Sequence, residues 1–515
     1  MRFDKVLYNG NFITMDAELS RKKWVAVKDG KIVALGDDDN YPHDAAELID
    51  LKGATALPGL VDCHNHVTIA GLRLKSVDLA DAGTIAEVLR RMEDACLKAE
   101  EGEYVYGSNY IPQAIAEVRY PTAEELDAIC HGHLVFIIAA TLHACATNTP
   151  GIAIADVPDD LPGVELVDGK QTGNYLSDES SFLATANIVG SLDDEHLWDL
   201  IRGCAEFAAT QGLTSIHGLF GQFVKGDRDL DLILERGHEL PVDITVWYQT
   251  WDPMEAKARG LERVGGCLTL DGAGFEYTMA NFEPYDTAPA LRGVLYHNDD
   301  EVYQVVKAAH ENDMQCTLHA VGERAIDQLL WTYHRVFTEQ GKKDLRHRLE
   351  HLCMPTQSQI EMAKDLGLIL SMQPGFTYEW DEDFAVILGR ERGDRIDPFK
   401  RVLEAGNIIC AGSDCPVTKM TPLTDLAFLV RGKTFKGNTN LVRVVPLTEA
   451  IKMFTTNAAY AINAENTKGS IEIGKDADFS VIDRDPYEYE NSDELYEMKP
   501  VMTMNKGNVT FTTLH

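Results

Sequence analysis

Leu57-Pro58-Gly59-Leu60-Val61-Asp62-Cys63-His64-Asn65-His66 is the stretch on which the fold turns. An apolar run entered from a Pro-Gly turn predicts a short buried strand. Two histidines follow at i and i+2, and on a strand such residues share one face. Two imidazoles then converge at the strand's C-terminal end, and a neutral imidazole is the commonest protein ligand for zinc-like metals. By itself the motif reads equally well as a polar turn after a strand.

The flanking chain supplies the context. Residues 1–57 read as short strands punctuated by Asn9-Gly10 and Asp29-Gly30 turns. After the histidines comes a long segment, about 70 to 205. It has a helix predicted over Thr84 to Glu101, a buried strand over Leu134 to Ala140 ending near His143, and a polar loop over Asp168 to Gly173. From about residue 205 onward, helices alternate with short apolar strands. The strand candidates are Leu213–His217, Val242–Tyr248, Cys267–Asp271, Gln315–His319, Arg348–His351, Leu368–Met372 and Ile408–Asp414. With the His64 strand these make eight. The pattern predicts an α/β chain forming a (β/α)8 TIM-type barrel, whose active site lies at the C-terminal ends of the strands.

Residues 447 to 463 are predicted as one amphipathic helix. The tail then turns β-rich at Gly469–Gly474, Ala477–Asp483 and Val509–Phe511. The simplest assembly pairs both ends of the chain: residues 1–57 and 465–515 form a small β-sandwich domain outside a barrel of residues 58–464.

Composition narrows the function. The 515 residues are 45% hydrophobic and 25% charged, ordinary globular proportions that allow a large core. A formal net charge of −35 argues against nucleic acid and anionic membrane surfaces as partners. It favours a small neutral or cationic substrate. No apolar run reaches the length of a signal peptide or a membrane span. The ten cysteines show no compact pairing pattern, which predicts reduced thiols in a cytoplasmic protein. Nothing in the sequence excludes a homo-oligomer.

Four predicted strand ends carry His64 with His66, His319, His351 and Asp414. Each alone has an ordinary explanation, since an Asp after Gly-Ser is often a turn or cap residue. Together, at one end of one barrel, they predict a metal centre. Here the sequence resembles the metal-dependent amidohydrolase superfamily. The matching stretches are Pro58–Asp62 with His64 and His66, His319–Ala325, Arg348–His351, Ser413–Pro416, Asn457–Ala459, Gly469–Ile471 and Gly474–Asp478. The branch it resembles is amidohydrolase family 3, with N-substituted formamide deformylase-like members and a long insert after the first barrel strand.

The resemblance implies roles. His64 and His66 would bind one divalent metal, with zinc the leading candidate. His319 and His351 would complete that site or hold a second ion. Asp414 would touch the activated water as general base, with His351 beside the reacting centre. Metal coordination lowers a water's pKa from about 15.7 towards about 7. The water then attacks the carbonyl of an amide, N-substituted formamide or cyclic amide, and the leaving nitrogen takes the proton. Many relatives carry a bridging carbamylated lysine on strand four; here the aligned position is Cys267. A thiolate ligand and a buried packing residue are both open there. Free cysteine is among the most buried residue types, so the expectation is packing, and one tight metal. For substrate contact the candidates are His143, Trp247, Tyr378 and Trp380, with His217, Tyr248 and Trp251 also near strand ends. Two other readings remain: a deaminase or other hydrolase on the same barrel, and a catalytically weak regulatory or binding protein.

Overall fold

The computed structural model describes residues 2–514. Eight parallel strands form one sheet that curls back on itself, and we number them β1 to β8 in chain order. They are Leu60–Asn65, Leu213–Phe220, Asp243–Tyr248, Arg263–Thr269, Gln315–Ala320, Arg348–His351, Ile369–Met372 and Ile408–Ala411. Each pairs with its neighbours in order from β1 to β8. A parallel bridge from Asn65 to Cys415 brings the chain after β8 back to the end of β1. Helices link the strands and cover the outside, as a parallel sheet buried on both faces requires. The core spans barrel and helices alike, with Ile216, Leu318, Leu349, Leu370 and Ile409 fully buried.

β2 runs on past His217 to Phe220, β8 stops at Ala411 short of Asp414, and two strand starts are also displaced. Leu57 and Pro58 belong to a different sheet, pairing with Ser480 and Phe479. The chain crosses between sheets at Gly59, where an added Cβ would lie 2.1 Å from Thr214 Oγ1 and 2.9 Å from Asp478 Cβ. Only glycine fits that approach. β4 begins at Arg263, four residues before Cys267, because Gly265 and Gly266 continue the strand instead of ending it. Both have left-handed φ, +97° and +105°, and the register with β5 slips between Gly265 and Thr269. This is a bulge, the device by which a strand re-aims a side chain.

The insert after β1 builds a sheet of its own, which the sequence reading did not foresee. Its order is Val164–Val167, Lys170–Tyr175, Cys145–Thr147, Val135–Ala139, Val105–Tyr110, Val77–Asp78. The predicted helix is shorter, Ile85–Cys96, with the Thr84 side chain accepting from Glu87 N as its N-cap. The polar loop expected over Asp168–Gly173 is mostly strand. Only Asp168 and Gly169 turn, both with left-handed φ, in a tight hairpin.

Both ends of the chain meet in a second sheet. Its order is Asn508–Thr512, Pro500–Asn505, Phe479–Ile482, Thr55–Pro58, Asn11–Ile13, Arg21–Lys22. It packs on a four-stranded sheet of Lys31–Gly36, Trp24–Lys28, Phe3–Tyr8 and Ala45–Asp50 through Leu7, Phe12, Val25, Ala56, Phe479 and Met502. Gly469–Gly474, expected as a strand, is irregular and turning. The helix expected over 447–463 is two, Leu447–Met453 and Thr456–Tyr460. The break falls at Thr455, whose hydroxyl donates back to the Ile451 carbonyl at 2.7 Å.

Candidate metal centre

The C-terminal ends of the barrel strands deliver the expected residues to one point. His64 Nε2 lies 3.3 Å, and His66 Nε2 3.2 Å, from Asp414 Oδ1. Cys267 Sγ lies 3.4 Å from His319 Nδ1 and 3.7 Å from His351 Nε2. The His64 and His351 rings are 4.9 Å apart, and those of His319 and His351 4.4 Å. Two donor sets are close enough to surround an ion: His64, His66 and Asp414, and His64, Cys267 and His351.

Those residues fit a divalent cation. His64 Nε2 and Asp414 Oδ1 face each other, buried, with no hydrogen-bond partner. Buried polar atoms are ordinarily paired, so an unpaired facing set calls for an ion between its members. The Nδ1 of His64 is engaged by Glu350 Oε2 at 2.7 Å, leaving only Nε2 as a ligand atom. One nitrogen serves one ion. With His64 given to the His66–Asp414 set, the other set is Cys267 and His351 with His319 beside them. Imidazole, carboxylate and thiolate together suit zinc and disfavour magnesium.

The electrostatics agree with an anionic Cys267. Burial would push its thiol up, but His319, His351 and His64 outweigh burial and hold it well below the ordinary thiol range. Asp414 is likewise held well below the carboxylate range against the effect of burial, by His64 and His66. Burial would lower His64, yet Asp414, Cys267 and Glu350 raise it well above the usual imidazole value, and an ion bound at Nε2 would displace that proton. The bulge in β4 carries the sulfur of Cys267, expected as a packing residue, into the cluster beside His319 and His351.

The backbone is strained at two of these residues. His351 has φ +77° and Asp414 φ +54°. Residues other than glycine rarely adopt that region, and when they do they cluster at functional sites. In β6 the parity of the strand sets Glu350 and His351 on opposite faces. The turned backbone at His351 brings its ring to the cluster nonetheless.

A cavity opens over the cluster, with His66, Cys267, His319, His351 and Asp414 in its floor. Its walls are largely aromatic: Phe182, Phe223, Phe275, Phe376, Trp380 and Phe384. The insert contributes Thr141, Leu142, His143 and Phe182 to this wall. His143 Nδ1 is 2.8 Å from Asp178 Oδ1. Burial opposes its charge, but Asp178 prevails and pushes the imidazole up to about 10.

Of the expected substrate contacts, His143 and Trp380 line the cavity. Trp247 does not: it is fully buried in the barrel, with the Arg348 guanidinium 4.6 Å from its ring centre. Tyr378 packs among Phe428, Phe435 and Tyr496. His217 faces Arg348 Nη1 at 3.1 Å, Tyr248 donates to Asp227, and Trp251 packs on His297. Phe182, Gln222 and Phe223 were missed. The last two lie two and three residues past β2, where a barrel-top loop was the available signal.

A barrel with its ionisable residues gathered at the strand ends defines a hydrolase-type site, and the comparisons specify it. Residues 47–511 match the amidohydrolase family, and the chain belongs to that family. It is 27% identical to the N-substituted formamide deformylase of Arthrobacter pascens, over 98% of this chain and 97% of that one. It is 26% identical to a putative amidohydrolase of Bacillus subtilis, covering 98% and 99%. A metal-dependent hydrolase of Pyrococcus horikoshii shares the fold, with a TM-score of 0.77 at 23% identity over 94% of this chain and 98% of that one. The protein is thus a hydrolytic enzyme acting on carbon–nitrogen bonds of small molecules. Among the described residues no helix is long and apolar enough to cross a membrane.

Proposed function

We propose that the enzyme hydrolyses the C–N bond of a small, neutral or cationic N-substituted amide, of which an N-substituted formamide is the leading case. The observation that carries the metal-dependent reading is the convergence of His64 Nε2, at 3.3 Å, and His66 Nε2, at 3.2 Å, on the buried Asp414 Oδ1. His64, His66 and Asp414 hold one divalent ion, zinc by donor type; Cys267, His319 and His351 are placed to hold another. A bound ion supplies Lewis-acid polarisation and an acidified water. Asp414 takes the proton on the carboxylate oxygen that the ion leaves free and returns it to the leaving nitrogen. His143, charged against Asp178, offers a hydrogen bond to the substrate from the cavity wall. The aromatic walls suit an apolar N-substituent. The formamide preference is supported by likeness to the Arthrobacter deformylase.

The test pairs elemental analysis of the purified protein with a panel of N-formyl and N-acyl amines. Bound zinc and fastest release of formate from aryl- or alkyl-substituted formamides are expected. Protein without divalent metal would overturn the metal reading. Turnover of acyl amides or cyclic amides in preference to formamides would overturn the substrate reading alone.

A further inference from the structure

Beneath the four histidines lies a buried ion pair that the chemistry above does not use. Arg348 and Glu350 stand two residues apart on β6, so they share the face turned into the barrel. Both are essentially without solvent contact. Glu350 Oε1 accepts from Thr317 Oγ1 at 2.6 Å and Arg348 Nε at 2.8 Å. Its Oε2 accepts from Arg348 Nη2 at 2.8 Å and His64 Nδ1 at 2.7 Å. Four donors fill the four acceptor positions of a carboxylate. Arg348 also donates to the Cys63 carbonyl at 2.9 Å and lies over the Trp247 ring. One carboxylate thus ties β5 and β6 to the first metal-facing histidine of β1.

We propose that Glu350 is a positioning residue for His64. Its carboxylate keeps the imidazole proton on Nδ1 and the Nε2 lone pair facing Asp414. The inference rests on the reading of His64 as a metal ligand. The partners of the other histidines single out this contact. His351 Nδ1 faces Gln373 Oε1 at 2.8 Å, a neutral amide that can present either oxygen or nitrogen. His66 Nδ1 has no partner. His319 Nε2 is 3.7 Å from Asp271 Oδ1, outside hydrogen-bond range. Of these four histidines, only His64 donates to a charged group that accepts and never donates. A carboxylate behind a ligating imidazole fixes its tautomer and raises its basicity. Arg348 donates to both oxygens of Glu350, from Nε to Oε1 and from Nη2 to Oε2, and fixes the carboxylate behind His64.

The experiment measures zinc affinity by chelator competition in four proteins: the parent, Glu350→Gln, His64→Ala, and the double variant. Glu350→Gln is expected to lower affinity on the order of 10- to 100-fold. In the His64→Ala background the same change is expected to alter affinity less than about twofold, because the route through His64 is already gone. Equal losses in both backgrounds would assign Glu350 a general structural role and overturn the proposal. Should Glu350→Gln fail to fold, nitrogen NMR of the zinc-loaded parent with labelled histidine decides instead. A proton on Nδ1 of His64 supports the proposal, and a proton on Nε2 overturns it. A parent that binds no zinc would defeat the metal reading itself, whereas tight zinc binding unaffected by Glu350→Gln would defeat only this inference.

Discussion

The backbone N–H of Asp414 donates to the carbonyl of His64 at 2.8 Å, so the last barrel strand closes onto the first through two residues of the candidate metal centre. Closure and ligand geometry are therefore one structural event. Replacing both His64 and His66 with alanine leaves this backbone bond in place. The double variant is expected to fold, with near-parent circular dichroism, and to lose bound metal and activity. Full metal content in that variant would refute the ligand assignment.

Asp414→Asn keeps the shape of the side chain and removes its basicity. If Asp414 is the base, kcat should fall by on the order of 10² or more, the usual scale for a positioned proton acceptor. KM should change little, because the interaction is made in the transition state. Steady-state kinetics on the best formamide substrate checks this, and near-normal turnover rules the role out.

On the proposed reading, Cys267 decides the metal count. Its sulfur, 3.4 Å from His319 and 3.7 Å from His351, is placed as a soft ligand for a second ion. The parent is expected to hold two zinc ions per chain and Cys267→Ala one, read by elemental analysis after dialysis. One ion in both proteins would return Cys267 to a packing role.

The two aromatic residues Tyr378 and Trp380 differ in place. Trp380 lines the cavity, 5.4 Å from Phe275 between ring centres, while Tyr378 packs away from it. Trp380→Leu should raise KM for an N-benzyl-type substrate about tenfold, the effect of losing roughly 1.4 kcal/mol of aromatic contact. Tyr378→Leu should leave KM within about twofold. Equal effects would remove the aromatic wall from the account of specificity.

Stability should fall in acid through a pair remote from the site. His347 Nε2 lies 3.0 Å from His310 Nδ1, His347 Nδ1 accepts from Cys316 N at 3.0 Å, and His310 Nε2 donates to the Gly341 carbonyl at 2.9 Å. The arrangement requires both rings neutral. Burial, with His310 adding to it, pushes His347 down to about 3. The unfolded chain protonates near 6.5, so below that pH it binds a proton the folded chain refuses. Stability from this group is full above about 6.5 and declines as pH falls towards 3, by at most about 1.4 kcal/mol per unit. Melting temperature against pH measures it. His347→Asn should melt lower at pH 7 but lose less between pH 6 and 4; an unchanged slope would contradict the assignment.

The barrel was legible because its strands are short apolar runs that end in polar residues, and β6 and β7 fall within a residue of their expected bounds. The start of β4 was not, because Gly265-Gly266 reads as a break and is a bulge. The insert sheet was hidden by strands as short as Val77–Asp78, too brief to show alternation. Ligand candidates could be named from strand ends alone. Their supports could not: Glu350 stood inside a quoted motif, yet its partner His64 is 286 residues away. Trp247 and Trp380 both follow the rule that places aromatics near strand ends. Which of them faces substrate depends on packing that no local pattern records.

Leu60 N donates to Ser480 Oγ at 2.8 Å across 420 residues of sequence, and Thr55–Pro58 pairs with Phe479–Ile482. The strand that feeds β1 thus waits for a partner made 420 residues later. Domains generally form as their residues emerge, at about 5–20 residues per second. Here the entrance to β1 stays unpaired until those 420 residues have been made, about 20 to 80 seconds at that rate. His64 and His66, made early, are among the later residues to be locked in place.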